Sequence, residues 1–166
     1  LTVVEVSDFQ CPFCRQFTEQ TYRRFDSAYI QTGKVRLIFV HYPLPNHAEA
    51  WGAAEAAMCA GVQGKFWPMH DRLFATQQEW AAQPDAAERF AGYAQALDLD
   101  MAAYRDCTEN DRVAAVLVND ILQVSSAGVQ GTPTFFLGQR AMSGALTFEE
   151  ISREVEAQLA GVQPRP

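Results

Sequence analysis

Two cysteines separated by two residues sit where an apolar strand gives way to an amphipathic helix, and this placement restricts the chain more than any other feature. The run is Phe9-Gln10-Cys11-Pro12-Phe13-Cys14. Ahead of it, Thr2-Val3-Val4-Glu5-Val6 is β-branched and closed by Ser7-Asp8, the pattern of a buried strand. Behind it, Phe13, Phe17, Thr21, Phe25, Ala28 and Tyr29 recur at helical spacings, which predicts a helix with one apolar face ending near Gly33. Pro12 then occupies the first helical turn, where its missing N–H and fixed φ suit a helix start. The unpaired N–H groups and dipole of that turn point at Cys11 and favour its thiolate over the thiol. Cysteines in such settings have pKa values of roughly 3.5 to 7.5, against about 8.5 when free. Cys14, one turn further in, is expected to be shielded beneath Cys11, so that the exposed sulfur is attacked and the shielded one resolves.

Composition bounds what surrounds this pair. The chain has 166 residues, 48% of them hydrophobic, long enough for one domain with a substantial core. It contains no apolar run of the roughly 18 residues that would read as a transmembrane helix. A formal charge of -7 and the absence of any Lys/Arg cluster argue against nucleic acid as a partner, Tyr22-Arg23-Arg24 being an ordinary solvated helix face. A lone CxxC also fits half of a zinc site. His41, His47 and His70 are too scattered to complete one, so no metal or organic cofactor is expected. The remaining cysteines, Cys59 and Cys107, have no CxxC partner and no helix-start position, and are expected to form a structural disulfide. Such a bridge suggests an oxidising compartment. Leu1 lies inside a strand pattern and is not an initiator Met, so a signal or anchor segment is expected ahead of it.

After Gly33, Val35–Val40 reads as a second buried strand, parallel to the first through a right-handed crossover. Asn46 with Glu49 predicts a capping box for the next helix. From His47 to about Ser126 the periodicity is helical: Trp51, Ala54, Met58 and Val62 mark one helix, and Phe66, His70, Leu73 and Phe74 another. A third opens at Pro84, a short fourth follows an Asp98 or Asp100 cap, and a fifth carries Val113, Val116, Leu117, Ile121 and Val124. Thr134–Leu137, the Gly138-Gln139 loop and Arg140–Met142 predict an antiparallel hairpin. Thr147 and Glu150 then make a capping box for a last helix, and the tail from Gln163 is expected to fray. The order β-α-β, helical block, β-β-α assembles most simply as an α/β thioredoxin fold. Its mixed four-stranded sheet is formed by residues 1–46 and 127–166, with 47–126 as an all-helical insertion.

In the stretches Val4–Cys14, Gly64–Asp71 and Gly131–Phe135 the sequence resembles the DsbA family of thiol:disulfide oxidoreductases. The resemblance implies that Cys11 is the nucleophilic, substrate-bonded cysteine and Cys14 the resolving one, with Pro12 and Phe13 as the dipeptide between them. It implies that Pro133 is a cis-proline beside them, that the Thr132 backbone pairs with extended substrate, and that Glu5 is a buried acid serving proton transfer. The activity implied is oxidation of thiols in exported proteins, in the periplasm or tethered outside the membrane, with reoxidation by a quinone-linked membrane partner. Pro12-Phe13 lacks the His found between the cysteines of the best-known oxidases. A reductase or isomerase, or a non-catalytic holder of unfolded chains, therefore stands as the alternative.

Overall fold

The computed structural model describes residues 1–161. Four strands form one mixed sheet in the order β2-β1-β3-β4. β1 (Thr2–Ser7) and β2 (Arg36–His41) run parallel, with Glu5 opposite Phe39, and β2 begins one residue later than its apolar run suggests. β3 (Thr134–Leu137) is antiparallel to β1 and turns into β4 (Arg140–Ser143) with Leu137 opposite Arg140. That turn needs a positive φ at its first position, which Gly138 supplies at 59°.

The helix after Cys11, α1, is built of four contiguous segments: Pro12–Phe17, Thr18–Tyr22, Arg23–Phe25 and Asp26–Ile30, the second and fourth being π-type. The stripe explains this. Phe17, Thr21, Phe25 and Tyr29 are all buried and spaced by four, whereas an α-helix turns in about 3.6 residues, so a regular helix would rotate this row away by about 40° per step. The wider π-type turns unwind the helix and hold the row on the sheet. Phe13, expected on the same stripe, instead faces solvent with 59% of its surface exposed. Phe17 and Phe25 pack with Val3, Phe135, Ile151 and Val155, joining α1, the sheet and α8 (Phe148–Leu159) in one core. α8 starts on a complete capping box between Thr147 and Glu150. The tail expected to fray lies outside the described residues.

Between β2 and β3 come only helices: α2 (Ala50–Val62), α3 (Phe66–Ala75), α4 (Gln77–Trp80), α5 (Ala86–Ala96), α6 (Met101–Glu109) and α7 (Ala114–Ser126). α4 was not foreseen, being a single turn. The Asn46/Glu49 capping box is absent: no side chain caps α2, and the Glu49 N–H is taken by Gln10 Oε1 at 2.7 Å. The buried face of α2 is also not the large-residue stripe. Ala53, Ala54, Ala56, Ala57 and Ala60 line it, and Val62 is exposed, because small side chains allow close approach to α3 and α5. Asp100 caps α6 by accepting from the N–H groups of Ala102 and Ala103. A disulfide joins Cys59 of α2 to Cys107 of α6, with Cα atoms 5.8 Å apart. The core of this block includes Leu73, Trp80, Phe90 and Leu117 and continues without a break to Phe9, Cys11 and Cys14. Among the described residues no helix is long and apolar enough to cross a membrane.

Candidate active site

Cys11 caps α1 with extended backbone (φ -70°, ψ 124°), Pro12 follows at the first helical position, and the Cys11 carbonyl accepts the Arg15 N–H at 3.1 Å. The Thr132–Pro133 peptide bond is cis, and this loop lies against the sulfur: Cys11 Sγ is 3.3 Å from the Thr132 carbonyl oxygen, to which the thiol donates. This contact corrects the expectation of an exposed sulfur. Cys11 keeps only 3% of its surface and Cys14 none, because the Thr132–Pro133 loop covers the first and α1 the second.

The two thiols are nevertheless far from equivalent. The Cys11 pKa is lowered to about 6, first by the Cys14 thiol donating to it and then by the Thr132 hydroxyl and the N–H groups of Cys14 and Phe13, against the opposing effect of burial. Thr132 Oγ1 is buried with no other partner, so it is free to turn its hydrogen to the sulfur once the Cys11 proton leaves. Burial, and then the neighbouring Cys11, push the Cys14 thiol well above the ordinary range. One thiolate and one thiol thus coexist near neutral pH, in the order that thiol exchange requires.

Glu5 is buried in β1, and burial raises its carboxyl to about 7, partly offset by the Ser7 hydroxyl. Ser7 lies two residues along the same face of β1, and its hydroxyl also favours the Cys14 thiolate. Neither Glu5 Oε1 nor Ser7 Oγ has a close, well-aligned partner. Ser7 was not singled out from the sequence, although its period-two relation to Glu5 was available there.

Three further side chains hold the Cys11 loop, and none of them carries a local sequence signal. The buried Asp8 carboxylate accepts from Gln10 N–H (2.7 Å) and Leu44 N–H (2.9 Å) and lies 2.7 Å from His47 Nδ1. Gln10 spans to the helical block, donating to the Ala81 carbonyl. Gln77 of α4 donates to the carbonyls of Phe9 and Cys11. His41 and His70 pack in an aromatic cluster with Phe9, Phe39 and Phe66, and burial lowers both pKa values. No group of three metal-ligating side chains occurs among the described residues. A hollow of about 330 Å³ opens beside Pro133, bounded by Val129, Thr132, Phe136 and Ser143, while a larger one of about 1030 Å³ lies between α1, α3 and β2, away from the sulfurs.

A four-stranded mixed sheet interrupted by a helical block, with two unequal thiols at a helix start beside a cis-proline, defines a thioredoxin-like fold that carries a dithiol site. Residues 1–157 match the family described as Thioredoxin, and the chain belongs to that family. Its fold is similar to that of oxidised BdbD from Bacillus subtilis (TM-score 0.87, 22% identity, 96% of this chain and 88% of that one). It is similar also to α-DsbA1 of Wolbachia pipientis (TM-score 0.85, 19% identity, 97% and 86%). Among curated proteins the chain is 38% identical over 167 aligned positions to the Na(+)/H(+) antiporter NhaA 1 of Salinispora arenicola, covering 100% of this chain but 24% of that protein. It is 23% identical to disulfide bond formation protein D of Bacillus subtilis, over 97% of this chain and 73% of that one. The chain therefore spans about a quarter of the length of the antiporter-named relatives it matches.

Proposed function

We propose that this chain exchanges disulfides with protein thiols through Cys11 and Cys14, and that its working direction is oxidation of exported proteins. The observation that carries this reading is the division of the two thiols into a Cys11 held near pKa 6 and a Cys14 held well above the ordinary range, with the first against Thr132 and Pro133. In the oxidised protein a substrate thiolate attacks Cys11 Sγ, the Cys11–Cys14 bond breaks, and Cys14 leaves with the electron pair. A second substrate thiolate then attacks the substrate sulfur of the mixed disulfide. Cys11 leaves as the stabilised thiolate, and the substrate keeps the new disulfide. A low leaving-group pKa at Cys11 speeds that second step and makes the reduced form the stable one, as an oxidant requires.

Glu5 serves as the proton store for Cys14: neutral below about pH 7, it gives its proton through Ser7 when Cys14 leaves as a thiolate. The hollow beside Pro133 takes an extended substrate segment, with the Thr132 backbone as the pairing edge. Each cycle leaves Cys11 and Cys14 reduced, so a reoxidising partner of the membrane quinone-linked kind is part of the proposal. An extracytoplasmic setting accords with the Cys59–Cys107 disulfide, since such bridges persist where thiols are not kept reduced. The test is Cys11→Ser, which should abolish both insulin reduction and oxidative refolding of a reduced protein. Full activity in that variant would sink the proposal, and a reduction potential near about -270 mV rather than about -120 mV would reverse its direction.

A further inference from the structure

The backbone around Cys11 is held from the helical block by one side chain. Gln77 Nε2 lies 2.7 Å from the Phe9 carbonyl oxygen and 2.9 Å from the Cys11 carbonyl oxygen, so both amide hydrogens are donated to the backbone on either side of Gln10. Gln77 is 4% exposed, and its short helix is pinned by the buried Trp80, whose Nε1–H donates to the Leu73 carbonyl at 2.9 Å.

The Cys11 carbonyl already accepts the Arg15 N–H, so Gln77 fills its second lone pair. This oxygen is a few covalent bonds from Cys11 Sγ, and its partial negative charge opposes ionisation of the thiol. An N–H donated to it offsets that charge. We propose that Gln77 is a positioning residue that favours the Cys11 thiolate, so that the helical block takes part in setting the reactivity of the pair rather than merely covering it. The inference rests on Cys11 being the reactive thiolate.

Gln10 provides the control. Its side chain ties the same loop to the same block, through the Ala81 carbonyl and the Glu49 N–H, but meets neither the carbonyl nor the sulfur of Cys11. Gln77→Met and Gln10→Met should both lower the melting temperature. Ultraviolet titration of the thiolate in the reduced proteins separates them. Gln77→Met should raise the Cys11 midpoint by at least about half a unit, roughly a threefold loss of thiolate at a pH below the midpoint, while Gln10→Met leaves it in place. An unmoved midpoint in Gln77→Met, or an equal rise in Gln10→Met, would overturn the proposal. Should Gln77→Met fail to fold, the isotope-labelled side-chain amide signal of Gln77 in the unsubstituted protein decides: it should shift with the Cys11 midpoint, and a signal that ignores the titration would overturn the proposal. A Cys11 that shows no depressed midpoint before any substitution defeats the reading of the active pair itself, an outcome distinct from failure at Gln77 alone.

Discussion

Cys11 with Cys14 and Cys59 with Cys107 are two dithiols sharing one continuous apolar core, yet their surroundings give them opposite tasks. Cys59 and Cys107 sit within helices α2 and α6, beside Met58 and Tyr104, with no helix start and no donor to an anion. Closing 48 residues of chain, their bridge constrains the unfolded state. Cys11 sits at a helix N-terminus and receives several donors that outweigh its burial, while at Cys14 burial and the neighbouring Cys11 outweigh the donors it has. Burial alone thus does not separate a structural thiol from a reactive one, since Cys11 is as covered as Cys107. The distribution of hydrogen-bond donors does.

The sharpest way to break this comparison is to remove each pair in turn. Loss of Cys11 should leave no measurable exchange, whereas replacing Cys59 and Cys107 together with Ala should preserve exchange and cost about 4 kcal/mol of stability in urea unfolding. Graded dithiothreitol applied to the fully oxidised protein should release two thiols early and two only after harsh reduction or unfolding. Simultaneous release of four would erase the distinction.

A smaller effect lies in the pH dependence of stability, where two groups act in opposite senses. The folded-state pKa of Glu5 is raised from 4.5 to about 7, so the folded protein binds the extra proton in that window and stability falls as pH rises through it. The loss is on the order of 3 kcal/mol and should vanish in Glu5→Gln. Cys11 is lowered from 9.0 to about 6, so in the reduced protein its contribution grows as pH rises across that window and is lost as pH falls through about 6. The oxidised protein lacks this term. The reduced protein should therefore gain stability relative to the oxidised one as pH rises between those values, a divergence that chemical denaturation of both forms measures. No such divergence is expected on reducing Cys59 and Cys107.

The smallest effect concerns the helix that carries Cys107. Asp100→Ala removes its N-cap and should cost about 1 kcal/mol, with somewhat faster reduction of the Cys59–Cys107 bridge and no change in the exchange rate at Cys11.

What could be read from the chain alone follows the range of the interaction. The strand-to-helix placement of Cys11, the Gly138 turn and the Thr147/Glu150 box are local, and neighbouring residues specify them. The Asn46/Glu49 box failed because a tertiary contact to Gln10 captured the Glu49 N–H. The alanine face of α2 was missed because close helix packing favours small residues, which carry little periodic signal. The exposure of Cys11 was not legible because the residue that covers it, Thr132, is 121 residues away in sequence. Thr132 and Pro133 were named only through the family resemblance. Gln77 and Ser7 could not be ranked above other polar residues without the backbone that brings them to Cys11 and Cys14.

The inequality of Cys11 and Cys14 is measured directly by thiolate absorbance of the reduced protein followed against pH. A single thiolate should appear with a midpoint near 6, be lost in Cys11→Ser, and be followed by no second thiolate until well above pH 9. A first midpoint near 9, or two thiolates appearing together, would contradict the assignment of Cys11 as the reactive sulfur and Cys14 as its shielded partner.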